Sequence, residues 1–92
     1  MSAPRDFRVP KDVVCEVLDG EAVLLNLRTG RYFALNATGT RMWDALGRFR
    51  SCDAALPELI QELAVDGVRL RADLENLAQE LLAAGLLELE EA

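Results

Sequence analysis

The chain has 92 residues, of which 51% are apolar and 28% are charged, and its net charge is −6. This length and composition fit one small globular domain and exclude a disordered or fibrous chain. No apolar run reaches the length of a membrane helix, and the first residues lack the apolar core of a signal peptide. We therefore expect a cytoplasmic protein without a membrane partner.

The amino-acid composition excludes most kinds of catalytic site. The chain contains no histidine, which excludes Ser–His and Cys–His couples and imidazole metal ligands. Its two cysteines, Cys15 and Cys52, are too far apart for a CxxC pair, and no glycine-rich phosphate-binding motif occurs. We predict a protein that is not an enzyme, with no catalytic residues, cofactor or metal. The cysteines are typical of small reduced core residues, with a disulfide as the alternative.

Charge differs between the two halves of the chain. Residues 1–50 carry eight basic and six acidic side chains, whereas residues 51–92 carry two basic and ten acidic ones. Such an acidic half repels phosphate groups and is typical of solvated helix surfaces. We therefore expect no nucleic-acid partner.

The first half of the chain predicts an antiparallel meander. Residues 1–11 show little periodicity and are expected to form a flexible lead-in, before a domain that spans residues 12–90. Three runs that are rich in apolar and β-branched residues follow and predict strands at residues 13–18, 21–27 and 31–35.

Short turns connect these strands. Asp19-Gly20 suits a two-residue hairpin turn in which both residues have positive φ, and Gly30 suits the left-handed position of a three-residue turn. In the middle strand, Val23, Leu25 and Leu27 share one face because side chains alternate.

The second half predicts three helices. Asn36 is a good N-cap for the first one, whose apolar positions recur at helical spacing: Met42, Trp43, Leu46 and Phe49. The second helix is expected to begin near Asp53, which would place Pro57 in its first turn, and to end at Asp66-Gly67. Its apolar positions are Leu56, Leu59, Ile60 and Leu63.

The third helix is expected from about Ala72 to Ala84, followed by Gly85 as its C-terminal cap. Residues 87–92 alternate apolar and acidic side chains and can either fray or add a short strand. The whole order predicts an α+β fold with a three-stranded antiparallel sheet followed by three α-helices.

The third strand has an unprotected edge. Residues 32–35 carry none of the lysines, prolines or inward-pointing charges that usually protect an edge strand, and apolar or aromatic side chains occupy both faces. Either a helix or the chain's own tail covers this edge, or the edge accepts an extended peptide as a further strand. The third helix poses a similar choice, because its wide apolar stripe either packs entirely in the core or borders a groove.

The chain resembles a PqqD-like domain, over roughly residues 12–90. The resemblance is carried by residues 22–46 and 73–87, and most clearly by residues 27–36, which read Leu-Arg-Thr-Gly-Arg-Tyr-Phe-Ala-Leu-Asn. PqqD-like domains are precursor-peptide recognition elements of pathways that make ribosomally synthesised, post-translationally modified peptides (RiPPs). The motif is most similar to the stand-alone recognition proteins of lasso-peptide biosynthesis.

The resemblance implies a winged-helix-like fold and a binding site for the leader segment of a precursor peptide. The leader would add as a strand beside the third strand and below the third helix. Carried over to this sequence, the leader-peptide-binding residues are Arg31, Tyr32, Phe33, Ala34 and Leu35 on the strand, and Asp73, Leu74, Leu77, Glu80 and Leu81 on the helix.

The resemblance therefore implies a non-catalytic adaptor that delivers the leader to separately encoded enzymes, a leader peptidase and a macrocyclase. The same role in pyrroloquinoline quinone or another RiPP pathway is the main alternative. Two more function classes stay open, a winged-helix DNA-binding domain and a subunit that binds a folded protein. The third helix is acidic where a DNA-binding helix is basic, which disfavours the first of these.

Overall fold

The computed structural model describes residues 6–90. Its elements are β1 (Phe7–Arg8), β2 (Val13–Leu18), β3 (Glu21–Asn26), β4 (Tyr32–Leu35), α1 (Ala37–Phe49), α2 (Cys52–Leu63), α3 (Gly67–Ala83) and β5 (Glu88–Leu89). An antiparallel sheet of order β2-β3-β4 precedes the three helices, which confirms the predicted α+β fold. None of the helices within residues 6–90 is long and apolar enough to cross a membrane.

The two predicted turns have the expected backbone. Asp19 and Gly20 have φ values of 53° and 79°, as a type I′ hairpin turn requires, and Gly30 has a φ of 77°. The flanking strands differ slightly from the prediction. β3 ends at Asn26, because the Asn26 carbonyl accepts from the Gly30 amide and so begins the turn, and β4 begins at Tyr32.

The sheet covers the core with one face only. Ala22, Leu24 and Leu35 are buried on the inner face against the helices. Val23 and Leu27, which the sequence groups with Leu25, lie on the outer side and are 47% and 63% exposed. The face that the sequence assigns to Val23, Leu25 and Leu27 is therefore the outer face of the sheet.

A polar side chain caps the N-terminus of each of the first two helices. The Asn36 side chain accepts a hydrogen bond from the Gly39 amide at 2.8 Å, which confirms the predicted N-cap of α1. In α2, Ser51 is the N-cap and the helix starts at Cys52. Pro57 is then the sixth helical residue, so the prediction that it lies in the first turn was wrong.

The boundary between α2 and α3 differs most from the prediction. α2 ends at Leu63, where Ala64 takes a left-handed conformation, and the Asp66 side chain accepts from the Val68 amide as the N-cap of α3. Asp66-Gly67 therefore begins the third helix and does not end the second. The predicted start at Ala72 was wrong because an Asp-Gly pair suits an N-terminus as well as a turn.

The two ends of the described chain pair with each other. β1 and β5 form a second, antiparallel sheet, with Phe7 opposite Leu89 and an Arg8–Glu88 ion pair. The tail thus adds the short strand that its alternating pattern allows. The predicted lead-in of residues 1–11 includes β1, whose pairing the sequence did not predict. Residues 1–5 of the lead-in and residues 91–92 of the tail lie outside the described part.

Candidate functional site

Every second residue of β4 directs its backbone amide and carbonyl away from the sheet. The Asn26 amide donates to the Arg31 carbonyl at 2.8 Å, and ladder bonds alternate along an antiparallel pair. The backbones of Phe33 and Leu35 therefore face β3, whereas the amides and carbonyls of Tyr32 and Ala34 point outward.

No strand within residues 6–90 pairs with this outward edge. The tail, which the sequence offered as one cover for it, pairs with β1 instead. β4 packs against β3 and α1 and makes no extensive contact with α3. Within the described part of the chain, the edge is open to an added strand.

The side chains of β4 fall into two groups. Leu35 is buried and Phe33 is half-buried against the core, whereas Tyr32 on the outer face is 72% exposed. Ala34 and Arg31 are exposed as well. The strand thus combines a firmly packed inner face with an accessible edge.

The structure distinguishes the two borders of the apolar stripe of α3. Arg71 lies on one border and bonds through Nη1 to Oδ1 of Asp53 on α2, at 2.7 Å. Asp73 lies on the other border and shares a cavity with Thr38 and Met42 of α1. Because α1 begins directly after β4, we infer that the border with Asp73 is the one on the side of β4.

The five predicted helix residues differ in accessibility. Leu74 and Leu81 have no exposed surface and belong to the core. Leu77 is half-buried, and Asp73 and Glu80 are exposed. Leu77, Asp73 and Glu80 share the border on the side of β4 and can be touched by a ligand, whereas Leu74 and Leu81 support the surface from beneath.

A cavity of about 460 Å³ lies between the start of α1 and the first turns of α3. Its wall combines apolar side chains, among them Met42 and Leu70, with the charged residues Arg69, Asp66 and Asp73. Sequence analysis missed Arg69 because it placed the helix start beyond this residue. The N-cap pattern at Asp66 is the signal that could have found it.

The two cysteines are unpaired. Cys52 is partly buried in the first turn of α2, and burial raises the pKa of its thiol, with Glu75 and Asp53 raising it further. The thiol is thus held in its protonated, weakly nucleophilic form. Cys15 is exposed on β2, contrary to the expectation that both cysteines lie in the core.

A family model described as coenzyme PQQ synthesis protein D (PqqD) matches residues 21–87. The chain belongs to the PqqD family. The resemblance seen in the sequence is thereby confirmed, and the match covers all three helices together with β3 and β4. No curated protein sequence matches the chain.

Two solved structures of this fold are similar over nearly the whole chain. One is described as TbiB1 in complex with the TbiA(beta) leader peptide; it is 32% identical, with a TM-score of 0.81, and the match covers 92% of this chain and 99% of that one. The other is a lasso peptide synthetase B1 complexed with the leader peptide; it is 25% identical, with a TM-score of 0.78, and the match covers 90% and 98% of the two chains.

Proposed function

We propose that this chain binds the leader segment of a ribosomally made precursor peptide as an extra strand along β4. The observation that carries the proposal is the open edge, at which the amides and carbonyls of Tyr32 and Ala34 point outward. Backbone pairing of this kind accepts an extended peptide with little regard to its sequence. The similarity to two structures that contain leader peptides supports a leader as that peptide.

Specificity comes from the side chains around the edge. Phe33 and Leu77 offer half-buried apolar surface to alternate leader side chains, supported by Leu35, Leu74 and Leu81 beneath. Arg31 directly before β4 and Asp73 and Glu80 on α3 offer charges of both signs. A free leader is disordered and loses entropy on binding, so a few apolar anchors must supply most of the affinity.

We further propose that the chain is not an enzyme and passes its leader, in the cytoplasm, to a separately encoded leader peptidase and macrocyclase. Holding the leader beside an active site raises its effective concentration there. The lasso pathway is favoured over pyrroloquinoline quinone synthesis because one of the two similar leader complexes is described as a lasso peptide synthetase. A peptidase assay with and without the chain tests delivery: the rate of leader removal is expected to fall when the chain is omitted.

Substitution Ala34→Pro tests strand addition. Proline removes the outward amide at this position, and no bond to β3 is lost, because the Ala34 amide does not belong to the ladder. We expect leader binding, measured by fluorescence anisotropy with a labelled leader peptide, to weaken by about tenfold or more, which corresponds to about 1.4 kcal/mol.

Two control variants separate backbone pairing from other effects. Ala34→Ser keeps the amide and should bind the leader normally. Cys15→Pro removes an outward amide at the opposite edge of the sheet, on β2, and should also leave leader binding unchanged. If Ala34→Pro is folded by circular dichroism and binds as tightly as the unmodified protein, the leader does not add to β4.

A further inference from the structure

The opposite edge of the sheet, which is formed by β2, is also open. Since Asn26 directs its backbone toward β4, the alternation directs Val23 and Leu25 toward β2, which they contact at Glu16 and Val14. The backbones of Cys15 and Val17 consequently point away from the sheet. Within residues 6–90, no strand pairs with this edge of β2.

β2 is apolar without being buried. Five of its six residues are exposed, and Val17 and Leu18 are 57% and 78% exposed. The strand contains neither lysine nor proline, and Glu16 is its only charge. Natural edge strands of this length usually carry such protection because an unpaired edge attracts other strands. An apolar, exposed and unprotected edge indicates a surface that becomes covered.

We propose that two copies of this chain associate by antiparallel pairing of β2 with β2 across a two-fold axis. The strand is self-complementary in the register that centres on Cys15. With the axis at Cys15, Val13 lies opposite Val17 and Glu16 lies opposite Val14, so no two charges of β2 face each other. With the axis at Glu16, two carboxylates would face each other, which is unfavourable.

The dimer joins the two sheets into one and leaves β4 free at each outer end. It does not depend on the proposed leader site, and a leader could bind each copy. Each copy contributes one strand, and the Val13 amide is already bonded to the Pro10 carbonyl. Such a small interface predicts weak association, with a dissociation constant on the order of 100 µM.

Sedimentation equilibrium of the full chain over a range of concentrations tests the proposal. We expect a monomer–dimer equilibrium that Val17→Lys weakens by about tenfold or more, because lysine blocks strand pairing at an edge. Val68→Lys is the matched control, since Val68 is a valine on α3 that is 81% exposed and far along the chain from β2. This control should dimerise like the unmodified chain.

Cross-linking with a short bis-maleimide gives a second readout that does not require a folded Val17→Lys variant. The Cys52→Ser variant retains Cys15 at the proposed axis and should form a covalent dimer, whereas Cys15→Ser should not. A chain that stays monomeric at millimolar concentration overturns the proposal. A dimer that persists in Val17→Lys also overturns the proposal. A dimer that Ala34→Pro abolishes overturns it too, because such a dimer would pair through β4.

Discussion

Asn26 connects parts of the chain that are distant in sequence. It is buried, with 1% of its surface exposed, and its Oδ1 accepts hydrogen bonds from the amides of Arg28 and Thr29. Its Nδ2 donates to the carbonyl of Gly85, just beyond α3, at 2.8 Å. One side chain thus stabilises the turn before β4 and holds the end of α3 against the sheet. The side chain therefore links the turn before β4 to the end of α3, the two elements of the proposed leader site.

Substitution Asn26→Ala should lower the free energy of unfolding by about 2–4 kcal/mol, because buried amide and carbonyl groups lose their partners. Urea denaturation followed by circular dichroism measures the change. The matched substitution Asn36→Ala removes an exposed helix cap and should cost about 1 kcal/mol. Equal losses in the two variants would contradict the role assigned to Asn26.

At the level of elements, the start of α3 determines which residues can line the cavity beside α1. The N-cap at Asp66 places Arg69 and Leu70 on the helix, where they join Met42 in the cavity wall. A helix that began at Ala72 would leave these positions in a loop.

Substitution Asp66→Ala should therefore lower the free energy of unfolding by about 1 kcal/mol, because the Val68 amide loses its acceptor. Asp73→Ala is the control: Asp73 is exposed in the second turn, caps nothing, and should change stability by less than about 0.5 kcal/mol. Thermal and urea denaturation distinguish the two variants. A larger loss in Asp73→Ala would favour a later helix start.

The two borders of α3 offer a matched pair of leucines. Leu77 lies on the border toward β4, whereas Leu82 lies on the border with Arg71, toward α2, and both are half-buried. We expect Leu77→Gln to weaken leader binding by about tenfold, about 1.4 kcal/mol, and Leu82→Gln to leave it unchanged. Titration of both variants with the labelled leader measures this. The opposite ranking would assign the leader to the other border.

For the molecule as a whole, charge separates peptide binding from the winged-helix alternative. The net charge is −6, Arg71 of α3 is bonded to Asp53, and Asp73, Glu75 and Glu80 lie on the same helix. Binding to duplex DNA requires basic side chains that neutralise phosphates.

A gel-shift experiment at low salt, where such binding is strongest, should leave duplex DNA unshifted at micromolar protein. The same protein preparation should bind the labelled leader, which shows that it is active. A retarded DNA band that disappears at high salt would contradict this prediction and favour the DNA-binding alternative.

Features that depend on neighbouring residues were predictable from the sequence alone. The Asp19-Gly20 turn, the left-handed Gly30, the Asn36 cap and the apolar strand at residues 32–35 all follow from local backbone preferences. The family resemblance added the expected site residues. Those residues and the boundary of the domain at residue 12 remain predictions.

The tertiary structure decided which local options are realised. An Asp-Gly pair can end one helix or begin the next, and only packing of α3 on α2 and α1 selects the second option at Asp66. The pairing of β1 with β5, the bond from Asn26 to Gly85, and the border of α3 on the side of β4 join residues far apart in the chain. Sequence therefore determined the two turns of the sheet, the Asn36 cap and the apolar runs that form β2–β4 and the helices. The start of α3, the pairing of β1 with β5 and the neighbours of the open edge depend on contacts that no local pattern encodes.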